Sequence, residues 1–292
     1  MKLNFTKLQA TGNDYVYIDC IHKNIDIKNI KPYISYICDR NFGIGSDGVI
    51  FILPSDVATA KMIMFNKDGS ESFMCGNGIR SVAKYLYDNK ITREKEFSIE
   101  TKAGIRKMLL NIEKDIIKNI SVNMGHPSFN PMLIPVITEK SFFINENILI
   151  NDNNYKTTCL SMGNPHAVVF TKNIDNLKLS NIGPIFECNY HFPERTNIEF
   201  VQKVDNENMK IRIWERGTGE TLSCGSGACA SVAAGVITGQ FKKNVPINVI
   251  QNGGTLQVEY NEKEGIILTG EAEKVYDGKI LLKGKNSILL WV

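Results

Sequence analysis

ESFMCGNGIRSVA at residues 71–83 and ETLSCGSGACASVA at residues 220–233 are two versions of one pattern. Each has a glutamate four residues before a cysteine, then Cys-Gly-[Asn/Ser]-Gly, then an apolar run. The cysteines, Cys75 and Cys224, stand 149 residues apart. A second marker repeats with them. In TGNDYVYID the Asn13 of Gly12-Asn13 lies 62 residues before Cys75, and in MGNPHAVVF the Asn164 of Gly163-Asn164 lies 60 residues before Cys224. Two markers in the same order at nearly equal spacing indicate internal duplication rather than chance recurrence of glycine turns.

Each repeat predicts a helix behind its cysteine. Ile79, Val82, Ala83 and Leu86 fall at i, i+3, i+4 and i+7, one face of a helix. The run ACASVAAGVI, residues 228–237, is apolar all round, so the second helix should be buried. Elsewhere the pattern is mostly strand: FSIETKAG, KNISVNMG, TNIEFVQKV, NMKIRIWE and TLQVEY alternate or carry β-branched residues. The Asn-Gly-Gly at 252–254 and the Asp-Gly at 277–278 read as hairpin turns. No regular βαβ rhythm is present. The expected fold class is α+β, with two pseudo-symmetric domains, each of antiparallel strands wrapped around a central helix. The first half should cover residues 1–125 and the second 126–280, with a linker near the proline-containing stretch 125–135.

Bulk composition narrows the function classes. The chain has 292 residues, 43% of them hydrophobic, with a net charge of +3 and no block of Lys/Arg. Nucleic acid and anionic membrane surfaces are not suggested as partners. No apolar run approaches the ~18–20 residues of a membrane-spanning helix. The N-terminal segment alternates like a strand and lacks the regions of a signal peptide, so a cytoplasmic protein is expected. The seven cysteines are odd in number and include no Cys-x-x-Cys, which argues against a disulfide framework or a zinc site. Cys20, Cys38, Cys159, Cys188 and Cys229 read as small buried hydrophobes.

Cys75 and Cys224 are different because each opens a helix. Free N–H groups and partial positive charge at a helix N-terminus should lower a thiol pKa and hold a carboxylate. If the halves face each other, the pair suits inversion of an amino-acid α-carbon. A thiolate removes the proton from one face, a thiol supplies one to the other, and the helix ends stabilise charge that moves onto the carboxylate.

TGNDY, FNKDGSESFMCGNG, SMGNPH, FPERTN and WERGTGETLSCGSGACA, in this order over almost the whole chain, resemble the diaminopimelate epimerase family. The resemblance implies interconversion of LL- and meso-diaminopimelate without pyridoxal phosphate or any other cofactor or metal, in lysine and peptidoglycan precursor synthesis. It implies a homodimer whose last strand, here residues 281–292, returns to the first domain. It makes Cys75 and Cys224 the acid–base pair, with His166 and Glu215 assisting. Substrate-binding positions fall on Asn13, Asn66, Gly76, Asn77, Asn164, Asn197, Glu215, Arg216, Gly225 and Ser226. Their chemistry suits an amino acid with two heads. Asparagines offer donors and acceptors together, Arg216 can grip a carboxylate through two hydrogen bonds, and Glu215 can pair with an ammonium. The sequence departs from the common pattern at Ser226, where threonine is usual, and at Gly48, where some members have a substrate-contacting glutamine. The loop Gly43–Gly48 has no phosphate-loop lysine and reads as lining the site. Glu71 and Glu220 read as serving the turns, and His22, His126 and His191 as surface or structural. Competing readings are a proline or hydroxyproline racemase, disfavoured by Asn77 and Glu215-Arg216, and a thiol redox protein.

Overall fold

The computed structural model describes residues 1–23, 25–72, 74–283 and 287–291. The chain divides into two compact units, Met1–Val122 with Gly270–Val292, and Asn123–Thr269. The first unit begins with β1 (Lys2–Ala10) and β2 (Asn13–Asp19), an antiparallel pair joined by a turn in which Thr11 and Gly12 take positive φ. The short helix α1 (Ile34–Cys38) leads to β3 (Gly48–Leu53), parallel to β2, and β4 (Ala60–Asn66), antiparallel to β3. The two-residue β5 (Glu71–Ser72) folds back on β4, and the chain enters α2 (Gly76–Asp88). Then β6 (Glu96–Thr101) lies parallel to β4, followed by the antiparallel β7 (Gly104–Glu113) and β8 (Ile116–Gly125).

The second unit repeats this plan. After β9 (Glu146–Ile150), β10 (Asn153–Ser161) and β11 (Pro165–Phe170) form the antiparallel pair. A helix, α3 (Leu179–Glu187), precedes β12 (Asn197–Lys203), which is parallel to β11 and antiparallel to β13 (Asn208–Glu215). The short β14 (Gly219–Thr221) folds back, and α4 (Gly225–Ile237) follows. β15 (Pro246–Gln251) lies parallel to β13, and β16 (Gly254–Asn261) and β17 (Gly265–Gly270) complete the series. Every parallel and antiparallel choice matches its counterpart in the first unit, so the duplication read from the cysteine turns extends to the register of the sheets.

Each helix is the centre of its unit. α2 packs on β1, β2 and β7, with Ile79, Val82, Ala83 and Leu86 fully buried. α4 packs on β10 to β13 and on β16, and is buried from Ala228 to Gly235 on all sides, as its uniform apolarity requires. Gly278 and Asp277 correct the hairpin reading. They lie inside β18 (Glu273–Lys283), which pairs with β1 from Lys2 to Gln9. Gly278 sits opposite Phe5, where a Cβ would stand 2.4 Å from the ring, and the Thr6 hydroxyl donates to Asp277 at 2.6 Å. The Asn-Gly-Gly stretch does turn β15 into β16.

The boundaries differ from those expected at 125/126 and 280/281. The return to the first unit starts at Gly270, because the whole of β18 belongs beside β1, and β19 (Ser287–Trp291) continues antiparallel to β18. The stretch 125–135 is not a free linker. Ser128 bridges to Ser161, and Ile134 enters the second unit's core with Phe143, Phe186 and Phe200. Cys188 is also unlike the other four cysteines expected in the core. It ends α3 and is exposed, whereas Cys20, Cys38, Cys159 and Cys229 are buried.

Candidate active site

Cys75 and Cys224 are the N-cap residues of α2 and α4. Their backbones are nearly superimposable, at φ −134°, ψ 120° and φ −135°, ψ 118°. Each sulfur accepts a hydrogen bond at 3.4 Å from the N–H three residues on, Gly78 in one case and Gly227 in the other. A thiol thus does what serine or aspartate does at an ordinary N-cap, and is held at the positive end of a thirteen-residue helix. The second glycine of each Cys-Gly-x-Gly is required by close packing. A Cβ at Gly78 would lie 2.8 Å from Ile50, and at Gly227 2.8 Å from Ile213 and 2.9 Å from the Glu199 carboxylate.

The half-site of the first unit gathers on β2. Asn13 Oδ1 accepts from the Cys75 thiol at 3.5 Å, and its amide Nδ2 donates to Asp47 at 2.7 Å, which fixes the amide's orientation. Asp47 belongs to the Gly43–Gly48 loop, so that loop supports Asn13. Arg40 bridges Asp47 and Asp14, and Lys7 pairs with Asp14 at 2.7 Å. Burial pulls the Asp14 carboxyl upward, but Arg40 and Lys7 outweigh it and hold the group below its usual range. Tyr15 was not singled out in the sequence, yet its hydroxyl donates to Cys75 Sγ at 3.6 Å. On α2, Asn77 is buried with its Oδ1 accepting from Arg80 at 2.9 Å, which directs the Asn77 amide donors away from Arg80. Asn66 donates to Ser70 Oγ within the turn between β4 and β5.

The half-site of the second unit gathers on β11, β12 and the end of β13. Glu215 accepts from the Thr221 hydroxyl and stands close enough to Cys224 for the two groups to influence each other's ionisation. Burial pushes the Glu215 carboxyl up. Cys224 itself departs from the expectation of a lowered pKa. Burial, and then the Glu215 carboxylate beside it, hold the thiol well above its ordinary value, outweighing Ser226 and the Gly227 N–H. Ser226 Oγ lies 3.4 Å from the sulfur, and the Cys224 N–H donates to Gln251. Asn197 donates to the Pro165 carbonyl and accepts from the Arg216 N–H. The Arg216 guanidinium is exposed and donates to the Glu194 carbonyl, so Glu215 and Arg216 point apart rather than forming an ion pair.

His166 is completely buried. Its Nδ1 lies 2.7 Å from Glu199 and its Nε2 3.0 Å from Asn164 Oδ1. Glu199 and Gln251 are further residues the sequence reading passed over. Glu199 stands in the strand TNIEFVQKV, where an acidic side chain suggests a solvent face. The signal available was its place in the repeat: 149 residues earlier stands Ile50, deep in the core. Glu220 pairs with Arg212 across the hairpin that precedes Cys224, and Glu71 pairs with Lys102 in the turn between β6 and β7, so both serve structure around the turns. Among the described residues no cluster of His, Cys, Asp and Glu is arranged to hold a metal ion, and no helix is long and apolar enough to cross a membrane.

The same architecture occurs in solved structures. A hydroxyproline epimerase from Agrobacterium vitis aligns with 95% of this chain and 92% of its own at a TM-score of 0.70 and 14% identity. A phenazine biosynthesis protein of the PhzF family from Bacillus anthracis aligns with 97% and 100% at a TM-score of 0.68 and 20% identity. At these identities the likeness is one of fold: two-unit, strand-rich α+β. Sequence likeness is much stronger elsewhere. This chain belongs to the diaminopimelate epimerase family, matching it over residues 5–130 and 158–275. It is 46% identical over 279 residues to a diaminopimelate epimerase of Methanococcus maripaludis, covering 95% of this chain and 99% of that one. It is 43% identical to one from Acetivibrio thermocellus, covering 95% and 98%.

Proposed function

We propose that this protein is a cofactor-independent isomerase that interconverts LL- and meso-diaminopimelate, with Cys75 and Cys224 as its two acid–base groups. The observation that carries the reading is the pair of N-capping cysteines in a chain of this family. Each sulfur sits at a helix N-terminus, where carboxylate charge is stabilised. In one direction a thiolate takes the α-proton, and the C–H electron pair moves onto the substrate carboxylate. The other thiol then delivers its proton to the opposite face of the carbon. The reverse direction exchanges the two roles, and no electrons are lost or gained overall.

The remaining residues fit named parts in this reading. Glu215, beside Cys224, receives and returns the proton of that thiol. His166 acts through Asn164, whose side-chain carbonyl it holds, and is a positioning residue. Asn13, Asn66, Asn77, Asn164 and Asn197 supply donors and acceptors for the two amino-acid heads. The helix N–H groups at Gly76, Gly225 and Ser226 receive the reacting carboxylate, and Arg216 holds the distal one. The enzyme works in the cytoplasm as a homodimer, serving lysine and peptidoglycan precursor synthesis. The test is proton NMR of the reduced protein with LL-diaminopimelate in D2O, without added cofactor. Deuterium entering at Cα while meso isomer forms is the expected result. Folded protein that exchanges proline or hydroxyproline instead would establish the racemase alternative.

A further inference from the structure

The two cysteine turns are alike in backbone and different in their partners. β2 runs parallel to β3 with Tyr15 opposite Gly48, and β11 runs parallel to β12 with His166 opposite Asn197. Tyr15 and His166 therefore occupy the same position in the two units. His166 is turned to Glu199 and Asn164, whereas Tyr15 reaches Cys75. Gly48 makes this possible. A Cβ there would lie 2.8 Å from the Tyr15 ring and 2.3 Å from the Phe65 carbonyl, so only glycine leaves the ring room to lie across β3.

We propose that Tyr15 is a further catalytic residue, whose hydroxyl donates to Cys75 Sγ and stabilises the thiolate state of that cysteine. The inference rests on Cys75 being an acid–base group, as proposed above. The sulfur then has a partner in each protonation state. As a thiol it donates to Asn13 Oδ1, whose orientation Asp47 fixes. As a thiolate it accepts from the Tyr15 hydroxyl and the Gly78 N–H. The charged and titratable groups around it are Tyr15 and Tyr17 on β2, Arg80 on α2, and Asp14 and Asp47, both neutralised by Arg40 and Asp14 also by Lys7. Tyr15 is a dependable donor among them. Burial, and then the neighbouring Cys75, push its phenol well above the usual range, so the hydroxyl keeps its proton while the thiol titrates. At Cys224 the neighbouring hydroxyl is that of Ser226, but burial and the carboxylate of Glu215 outweigh it and favour the thiol. Proton transfer at Cys75 is thus aided from the thiolate side, and at Cys224 from the thiol side.

Tyr15→Phe keeps the ring over Gly48 and removes the donor alone. A hydrogen bond to a charged acceptor is worth roughly a factor of ten in the ionisation equilibrium. The measurement is the pH dependence of iodoacetamide alkylation, followed by mass spectrometry on the Cys75 peptide, with the exposed Cys188 as internal reference. The expected result is a Cys75 midpoint about one unit higher in Tyr15→Phe, with Cys188 unchanged. The acid limb of kcat/KM should move up with it, and kcat/KM should fall by the same factor in both directions, because the equilibrium between stereoisomers is untouched. A folded variant with an unmoved Cys75 midpoint overturns the inference. Alkylation needs no turnover. An unmoved midpoint in an enzyme whose wild type inverts diaminopimelate rejects this inference alone, whereas failure of the wild type to exchange the α-proton rejects the functional reading. Should Tyr15→Phe not fold, 3-fluorotyrosine placed at position 15 is a stronger donor. It should lower the midpoint, and an unchanged or raised one overturns the inference equally.

Discussion

His166 Nδ1 and Glu199 Oε1 lie 2.7 Å apart on neighbouring parallel strands, and neither side chain reaches solvent. Burial pushes the Glu199 carboxyl up while His166 opposes the shift, and among the described residues the carboxylate's other oxygen has no hydrogen-bond partner. The contact is worth little as a source of stability in itself, but losing one partner is costly. Glu199→Ala leaves His166 without its acceptor and opens a void beneath Gly227. We expect a loss of about 3–5 kcal/mol in urea denaturation. A loss under about 1 kcal/mol would show that the pair is not held as described.

The glycines three residues after the cysteines should tolerate nothing larger. Gly78→Ala and Gly227→Ala each drive a methyl to 2.8 Å from an isoleucine of the sheet beneath. Overpacking of this kind costs about 1–3 kcal/mol. It also moves the N–H that caps the sulfur, so activity should fall more steeply than stability. Thermal melting and the D2O exchange rate, measured on the same preparations, compare the two losses.

Alkaline pH should weaken the second unit through Cys224. Its folded pKa is raised, so the stabilisation it provides is fully present below the unfolded value near 9 and is lost as pH rises through the folded one. Wild-type protein should therefore lose melting temperature faster above pH 9 than Cys224→Ser does. Cys20 and Cys38, both pushed by burial to about 11, and the buried Cys159 add an alkaline loss common to both proteins. Parallel melting curves for the two would reject a raised pKa at Cys224.

Arg216 should act on binding rather than on the thiols. Its guanidinium is exposed and, among the described residues, engaged only with the Glu194 carbonyl, so a carboxylate can displace that contact easily. Arg216→Ala should raise KM roughly 10–100-fold, the worth of a charged hydrogen-bonded contact, with alkylation of Cys75 unchanged. An unaltered KM would remove Arg216 from the site.

The helices and their cysteines were legible because Cys-Gly-x-Gly carries its own physics: a capping side chain, room for close packing and an apolar face, all within thirteen residues. What depended on distant partners was not. Asp277-Gly278 has the composition of a turn, but β1 supplies Phe5 and Thr6, and pairing overrides the local preference. The expected lowering of the Cys224 pKa followed from the helix end alone; the burial and the Glu215 carboxylate that reverse it come from packing and from β13. Tyr15 looked like one more strand aromatic in NDYVYID. Its role depends on Gly48, 33 residues further on.

The pairing of β18 with β1 imposes a schedule on synthesis. Residues 123–269 hold every strand of the second unit in one continuous stretch, so that unit can form as soon as it has left the ribosome. The first unit is made earlier and finishes later. Until residues 273–283 arrive, one edge of β1 has no neighbour, and its unpaired N–H and C=O groups are open to strands of other nascent chains. The half of the protein that carries Cys75 is therefore the one exposed to misassembly during translation, and it is closed by a strand made after the second unit.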